Sequence, residues 1–135
     1  MIQLTLPNIL AFADEAVAEK GSDYVYVNHN GEVAGKDSWV DCSNWHFDDE
    51  LQKRVPGCIV GNILNRAGVS LDDMPQDDGS HDLLSRLLNC DVIEIDDERE
   101  REVRTFLGRA QELQDNGTPW GEAVEKAKEH IAYRI

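Results

Sequence analysis

The feature that most constrains this chain is a pair of apolar stripes at helical spacing, split by Asn116-Gly117-Thr118-Pro119. Val103, Phe106, Leu107, Ala110 and Leu113 recur three and four residues apart, which puts them on one face of a helix. Trp120, Ala123, Val124, Ala127 and Ile131 repeat the pattern beyond the break. Gly117 takes up the left-handed conformation that ends helices, and Thr118-Pro119 supplies an N-cap followed by a residue whose missing N–H costs little. So short a connection folds the stripes back on one another and predicts a C-terminal αα-hairpin. Asp96 is the expected N-cap of its first helix.

The rest of the chain alternates helix and strand signals. Thr5 is placed to cap a helix with Pro7 at its second position, carrying Leu6, Ile9, Leu10, Ala13, Ala16 and Val17 inward and ending at Gly21. Tyr24 to Val27 is β-branched and aromatic, and His29-Asn30-Gly31 has turn chemistry. Its hairpin partner is either Glu32 to Ala34 or the run Trp39 to Cys42, and Val92 to Ile95 is a candidate third strand. Asn44 to Arg54 reads as a loop. Pro56-Gly57 opens a helix that buries Ile59, Val60, Ile63, Leu64 and Ala67 and stops at Gly68. Val69 to Met74 reads as a turn with a capped helical turn, and His81 to Asn89 as a short helix burying Leu83, Leu84, Leu87 and Leu88. The fold class is α+β and mostly helical. It comprises four to five helices, a small two- to three-stranded antiparallel β-element and the C-terminal hairpin, in one domain spanning residues 1–135.

Charge narrows the function classes. Asp and Glu number 27 against 13 Lys and Arg, a formal net charge of −14. That field repels phosphate backbones and argues against direct nucleic-acid binding, while it attracts basic surfaces. The same charge also keeps a small protein soluble. No stretch reaches the roughly 18 apolar residues of a membrane span. With three cysteines, Cys42, Cys58 and Cys90, a disulfide scaffold is not expected and a reducing cytoplasm is the simplest compartment.

Several residue sets suggest chemistry. Cys42, His46 and Cys58 resemble part of a zinc site, but a structural site needs a fourth ligand from His29, His81, Cys90 or a carboxylate. The expectation is no metal and no cofactor, with the cysteines as small buried hydrophobes. A Cys42–Cys58 disulfide is sterically plausible but disfavoured by the compartment. Cys58 sits near a helix N-terminus, where a thiol becomes more acidic, with His46 or His81 as candidate bases; packing is the preferred reading of it. Gly57 and Gly61 share one helix face, where they admit close approach of another element. A phosphate loop would need a Lys-Ser/Thr follow-up that Asn62-Ile63 does not supply. Asp97–Arg101, Glu100–Arg104 and Glu122–Lys126 are spaced as helical ion pairs, which accounts for part of the acid content without catalysis.

Two segments are familiar. Residues 56–69, beginning Pro56-Gly57-Cys58-Ile59-Val60-Gly61, and residues 111–124, with Gln114-Asp115-Asn116-Gly117-Thr118-Pro119-Trp120-Gly121-Glu122-Ala123-Val124, resemble small acidic proteins of unassigned function from actinobacteria and their phages. These are packing and turn residues. The resemblance implies a shared fold and a phage setting, and no activity.

The functional expectation is a non-enzymatic protein that binds a host or phage protein in the host cytoplasm, as a monomer or dimer. Trp39, Trp45, His46, Phe47, Asp48, Asp49 and Glu50 are the candidate contact residues, because aromatics rimmed by charge suit a hot spot; the same rings could instead roof a small core. In a sharper form, the acids of Asp48 to Glu50, Asp72 to Asp78 and Asp91 to Glu102 imitate duplex phosphates. The alternatives are a small cysteine- or carboxylate-dependent enzyme with a pocket near the start of the second helix, and a metal-stabilised module.

Overall fold

Each apolar stripe of the sequence finds a partner in the computed structural model, which describes residues 1–28, 31–35, 43–77, 79 and 80–132. The chain runs β1 (Ile2–Leu4), α1 (Leu6–Lys20), β2 (Trp45–Asp48), β3 (Lys53–Pro56), α2 (Ile59–Arg66), a 3-10 turn at Leu71–Asp73, α3 (Ser80–Asn89), β4 (Ile93–Ile95), α4 (Glu100–Asp115) and α5 (Trp120–Ala132). The α+β class, the helix content and the C-terminal αα-hairpin are as expected. Val103, Phe106, Leu107 and Ala110 of α4 and Trp120, Ala123, Val124, Ala127 and Ile131 of α5 are all buried. Helices α1 to α5 contribute to one hydrophobic cluster, joined by Leu4, Ile93 and Ile95. None of the described helices is long and apolar enough to cross a membrane.

The predicted caps explain where α1 begins and ends. The Thr5 side chain accepts from the Asn8 N–H, Pro7 lies in the first turn, and the Gly21 N–H returns to the Val17 carbonyl at a φ of 97°. At the other end of the chain, Asn116 closes α4 and Gly117 follows at φ 89°. The start of α4 differs from expectation. Asp96 caps a preceding turn, accepting from the Glu98 N–H, and the helix proper begins at Glu100. Asp97 therefore stands off the helix, and the Asp97–Arg101 ion pair is not among those formed by the described residues, whereas Glu100–Arg104 and Glu122–Lys126 are present at 3.2 Å each. Helix α2 likewise starts at Ile59, two residues after Gly57, because Pro56 still belongs to β3.

The β-structure departs furthest from the sequence reading. Tyr24 to Val27 meets Glu32 to Ala34 through a single bridge, Val27 to Val33, with the Ala34 N–H bonded to the Tyr26 carbonyl; no ladder forms there among the described residues. The alternative partner, Trp39 to Cys42, lies outside the described residues. Val92 to Ile95 does not join this hairpin. Its residues Ile93, Glu94 and Ile95 pair in parallel with Ile2, Gln3 and Leu4. Leu4, Ile93 and Ile95 point into the core while Gln3 and Glu94 face solvent, the alternation of a half-buried pair. The antiparallel hairpin instead arises from Asn44 to Arg54, read above as loop: Trp45, His46, Phe47 and Asp48 face Pro56, Val55, Arg54 and Lys53.

Two glutamines of α4 complete two other helices. Neither α2 nor α3 has a side-chain cap of its own. Gln114 Oε1 accepts from the Ile59 N–H at 2.7 Å, and Gln111 Oε1 accepts from the Ser80 N–H, also at 2.7 Å. Spaced by three residues, they lie on one face of α4, so a single helix supplies acceptors to orphan amides of two neighbours.

The Pro-Trp-Gly segment docks α5 in a similar way. The Trp120 N–H donates to the Tyr24 carbonyl and the Gly121 N–H to the Ser22 carbonyl. A Cβ on Gly121 would fall 2.9 Å from that Ser22 oxygen, so a side chain there would block the contact. The Trp120 ring is fully buried and meets Tyr24 edge-on at 4.8 Å.

Candidate partner-binding site

The candidate contact residues lie on the β2–β3 hairpin, whose position is set by its base. Ser43 and Asn44, both fully buried, run across the glycine face of α2. A Cβ on Gly57 would sit 2.2 Å from the Ser43 carbonyl oxygen, and one on Gly61 would sit 2.1 Å from that of Asn44. The close approach expected of these glycines is thus the backbone of the hairpin's base, fastened by the Gly57 N–H to Asn44 and the Cys58 N–H to Ser43. A second strap comes from the Met74 to Gln76 segment: Trp45 Nε1 donates to the Met74 carbonyl, Asn44 Nδ2 to that of Pro75, and the Asn44 N–H to that of Gln76.

The hairpin is sorted into two faces by strand periodicity. His46 is half-buried on the inner face, its Nε2 lying 3.1 Å from the Tyr26 hydroxyl. That hydroxyl accepts from the Ser43 N–H at 3.0 Å, and its own proton faces both the Ser43 carbonyl oxygen at 3.5 Å and the imidazole nitrogen. Tyr26 is fully buried, and desolvation of its anion pushes the phenol up to about 12. This is a structural lock between Tyr26, Ser43 and the hairpin.

Trp45, Phe47 and Arg54 occupy the outer face. Arg54 lies across the strand from Phe47, its guanidinium 4.5 Å from the Trp45 ring centroid, and it also pairs with Asp72 at 2.9 Å. Phe47 is 53% exposed, and Leu51 at the tip is 58% exposed. Asp48 Oδ1 holds the tip together by accepting from the Glu50 and Leu51 N–H groups. Asp49 and Glu50 project into solvent.

The predicted residues therefore divide. Trp45 and His46 are largely committed to anchoring, Asp48 to the turn, and Phe47, Asp49 and Glu50 are displayed. Trp39 lies outside the described residues. Leu51 and Arg54 belong to the displayed surface and were missed; once residues 45–56 are read as a hairpin, its period-two pattern would have found both.

The chemistry weighed for the cysteines changes. Cys58 is disulfide-bonded and fully buried, not the free thiol expected of it, while Cys90 is free and exposed. Cys42 lies outside the described residues, as does His29. A sulfur held in a disulfide is neither nucleophile nor thiolate ligand, and no group of three or more His, Cys, Asp or Glu among the described residues is arranged to hold a metal. His81 serves elsewhere, beside Arg104 of α4 at 3.2 Å. One cleft lined by described residues runs past Pro56, Asn62, Asn65 and Arg66 and two others lie along α4 and α5; Cys58 lines none of the three.

Comparison of the chain with protein families, curated proteins and solved structures returns no match.

Proposed function

We propose that this is a non-enzymatic protein-binding protein whose β2–β3 hairpin docks on a partner with a basic surface. The observation that carries the reading is the outer face of the hairpin. Arg54 lies over the Trp45 ring and across the strand from Phe47, Leu51 lies at the tip, and Phe47 and Leu51 are each more than half exposed. Large apolar groups left in water beside an arginine are the composition of an interface core, and fixed hairpins lose little freedom on binding. Around them, Asp49 and Glu50 lie on the tip, and Asp72 is brought alongside by Arg54. The Arg54–Asp72 pair brings the start of a second acid-rich segment beside the hairpin, which supports electrostatic steering toward a cationic partner.

The resemblance to actinobacterial and phage proteins favours a host or phage protein as the partner. In the sharper reading, the clustered acids replace duplex phosphates on a DNA-binding protein. A bacterial cytoplasm suits that setting, although the Cys58 disulfide is a feature more at home in an oxidising compartment.

The test is affinity capture from host lysate with the wild-type chain and a Phe47→Ser/Leu51→Ser variant, at low and high salt. Both side chains are exposed, so the variant should melt within a few degrees of wild type. The expected result is a discrete partner lost from the variant, with capture that weakens as salt rises. Retention of the same partner by the variant would refute the hairpin as the contact. Capture that ignores salt would remove the phosphate-mimic form.

A further inference from the structure

Cys58 is fully buried and disulfide-bonded at the N-cap of α2, while Cys90 is free and exposed. The chain has three cysteines, so counting leaves Cys42 as the one joined to Cys58. Cys42 lies outside the described residues, but its chain neighbour Ser43 does not, and the Cys58 N–H donates to the Ser43 carbonyl at 2.8 Å. A disulfide requires its two Cα atoms to lie roughly 4.4–6.8 Å apart, so a partner next in sequence to a direct hydrogen-bond contact is where that requirement points.

What lies between the two cysteines gives the bond its meaning. Residues 43–57 contain the whole of β2 and β3, the hairpin that displays Phe47 and Leu51. Its base is closed by two backbone bonds, from the Gly57 N–H to the Asn44 carbonyl and from the Cys58 N–H to that of Ser43. A Cys42–Cys58 bond closes the same base covalently. While it is intact, Ser43 and Asn44 cannot move far from the glycine face of α2; once it is cut, only hydrogen bonds and packing hold them there. The base also accommodates the cut form. Asn44 Oδ1 lies 3.5 Å from Cys58 Sγ, so a thiol at that position meets an acceptor instead of becoming an orphaned buried donor.

We infer that Cys58 is joined to Cys42 and that this bond is a redox latch on the contact hairpin, fixing its base when oxidised and releasing it when reduced. The consequence for binding rests on the reading of the hairpin as a protein-contact surface, because a fixed hairpin loses less freedom on docking than a loose one. The reductant is a dithiol. One of its thiolates attacks a sulfur of the bond, the other sulfur leaves and takes a proton, and the second thiol of the reductant resolves the mixed disulfide. The products are two cysteine thiols and an oxidised dithiol. Burial of the Cys58 sulfur shields that end from attack, so reduction of the native protein should be slow.

Two measurements on the full chain test the latch. In the first, the protein is blocked with N-ethylmaleimide, unfolded and digested with trypsin without reductant. Cleavage after Lys36, Lys53, Arg54 and Arg66 puts Cys42 in peptide 37–53 and Cys58 in peptide 55–66. The expected product is these two peptides joined, separating on reduction, with the blocking group on Cys90. Recovery of the two peptides unjoined, or of either joined to the Cys90 peptide, overturns the pairing. In the second, amide hydrogen exchange is compared before and after reduction by dithiothreitol. Exchange at the Asn44, Gly57 and Cys58 amides should accelerate about tenfold more than exchange at Phe106 and Leu107 of α4. Cys42→Ser should reproduce the reduced pattern without reductant. Equal acceleration at both places, or unfolding of the whole chain on reduction, would make the bond a general staple and overturn the latch; so would no change at all. Neither measurement needs a partner. If both succeed while the Phe47→Ser/Leu51→Ser variant captures the same proteins as wild type, the latch stands and the hairpin reading falls.

Discussion

Replacing Gln114 with alanine tests the claim that α4 completes α2. The side chain is fully buried, accepts from the Ile59 N–H at 2.7 Å and donates to Asp115 Oδ1 at 2.9 Å. Alanine leaves the Ile59 amide without an acceptor in a place water cannot reach, at about 1–3 kcal/mol. Asp115 loses a donor but keeps a further interaction, so roughly 1 kcal/mol is assigned there. The void left by the shortened side chain adds about 1 kcal/mol, giving a total of about 3–5 kcal/mol. Gln111→Ala removes the analogous bond to Ser80, but these residues are 9% and 8% exposed, so water can replace the lost acceptor. The expected loss is about 1 kcal/mol. Urea denaturation followed by tryptophan fluorescence measures both. With a slope of about 2 kcal/mol per molar, the Gln114→Ala midpoint should fall by roughly 1.5–2.5 M, and that of Gln111→Ala by about 0.5 M. Gln114→Glu refines the test, because it keeps the acceptor but turns a carboxylate toward Asp115. Like charges raise the pair's folded proton affinity above its unfolded value, so this variant should lose stability as pH rises above about 4 and recover it below. Equal losses for Gln114→Ala and Gln111→Ala, or a Gln114→Ala loss below 1 kcal/mol, would refute the reasoning.

Two glycine substitutions should move stability in opposite directions. Gly61→Ala places a Cβ against the Asn44 backbone, which cannot swing aside, and should cost about 3 kcal/mol or more in the same denaturation assay. Gly108→Ala lies inside α4 with only Ser80 Oγ near, at an ordinary 3.7 Å, and should raise stability by about 0.5–1 kcal/mol. Tyr26 should make the fold sensitive to alkali. Its folded phenol titrates at about 12 against an ordinary 10.0, so the native state holds the proton longer than the unfolded chain. The resulting stability is complete below pH 10 and declines toward pH 12, by about 1.4 kcal/mol per pH unit. Tyr26→Phe should flatten that slope and remove the latest-titrating group from the tyrosinate absorbance, where burial also raises Tyr24; titration of all tyrosines near pH 10 would contradict the buried lock.

How much of this was legible depended on the range of the interactions involved. The α1 caps, the α4 and α5 stripes and the Gly117 break act within a few residues, so spacing alone located them. Hairpin β2–β3 was missed because its strands are short and mostly polar, with Asp48, Asp49, Glu50, Lys53 and Arg54 masking the two-residue period. Its stability comes from Gly57, Gly61 and Met74 to Gln76, segments up to about thirty residues away along the chain. The contact residues were therefore named as a cluster, but which of them face outward could not be known. His46 and Phe47 are chain neighbours with opposite fates because a strand sends successive side chains to opposite faces.

By itself, the order of residues settled the helices, their inward faces, the glycine approach on α2 and the negative charge, since each follows from local periodicity, steric size or a count. Tertiary structure alone decided that β4 pairs with the N-terminal strand and that glutamines of α4 cap α2 and α3. Those outcomes require groups distant in sequence to satisfy one another's hydrogen bonds. No local pattern encodes such a match, because the cost of leaving a donor or acceptor unpaired arises only when folding removes water from it.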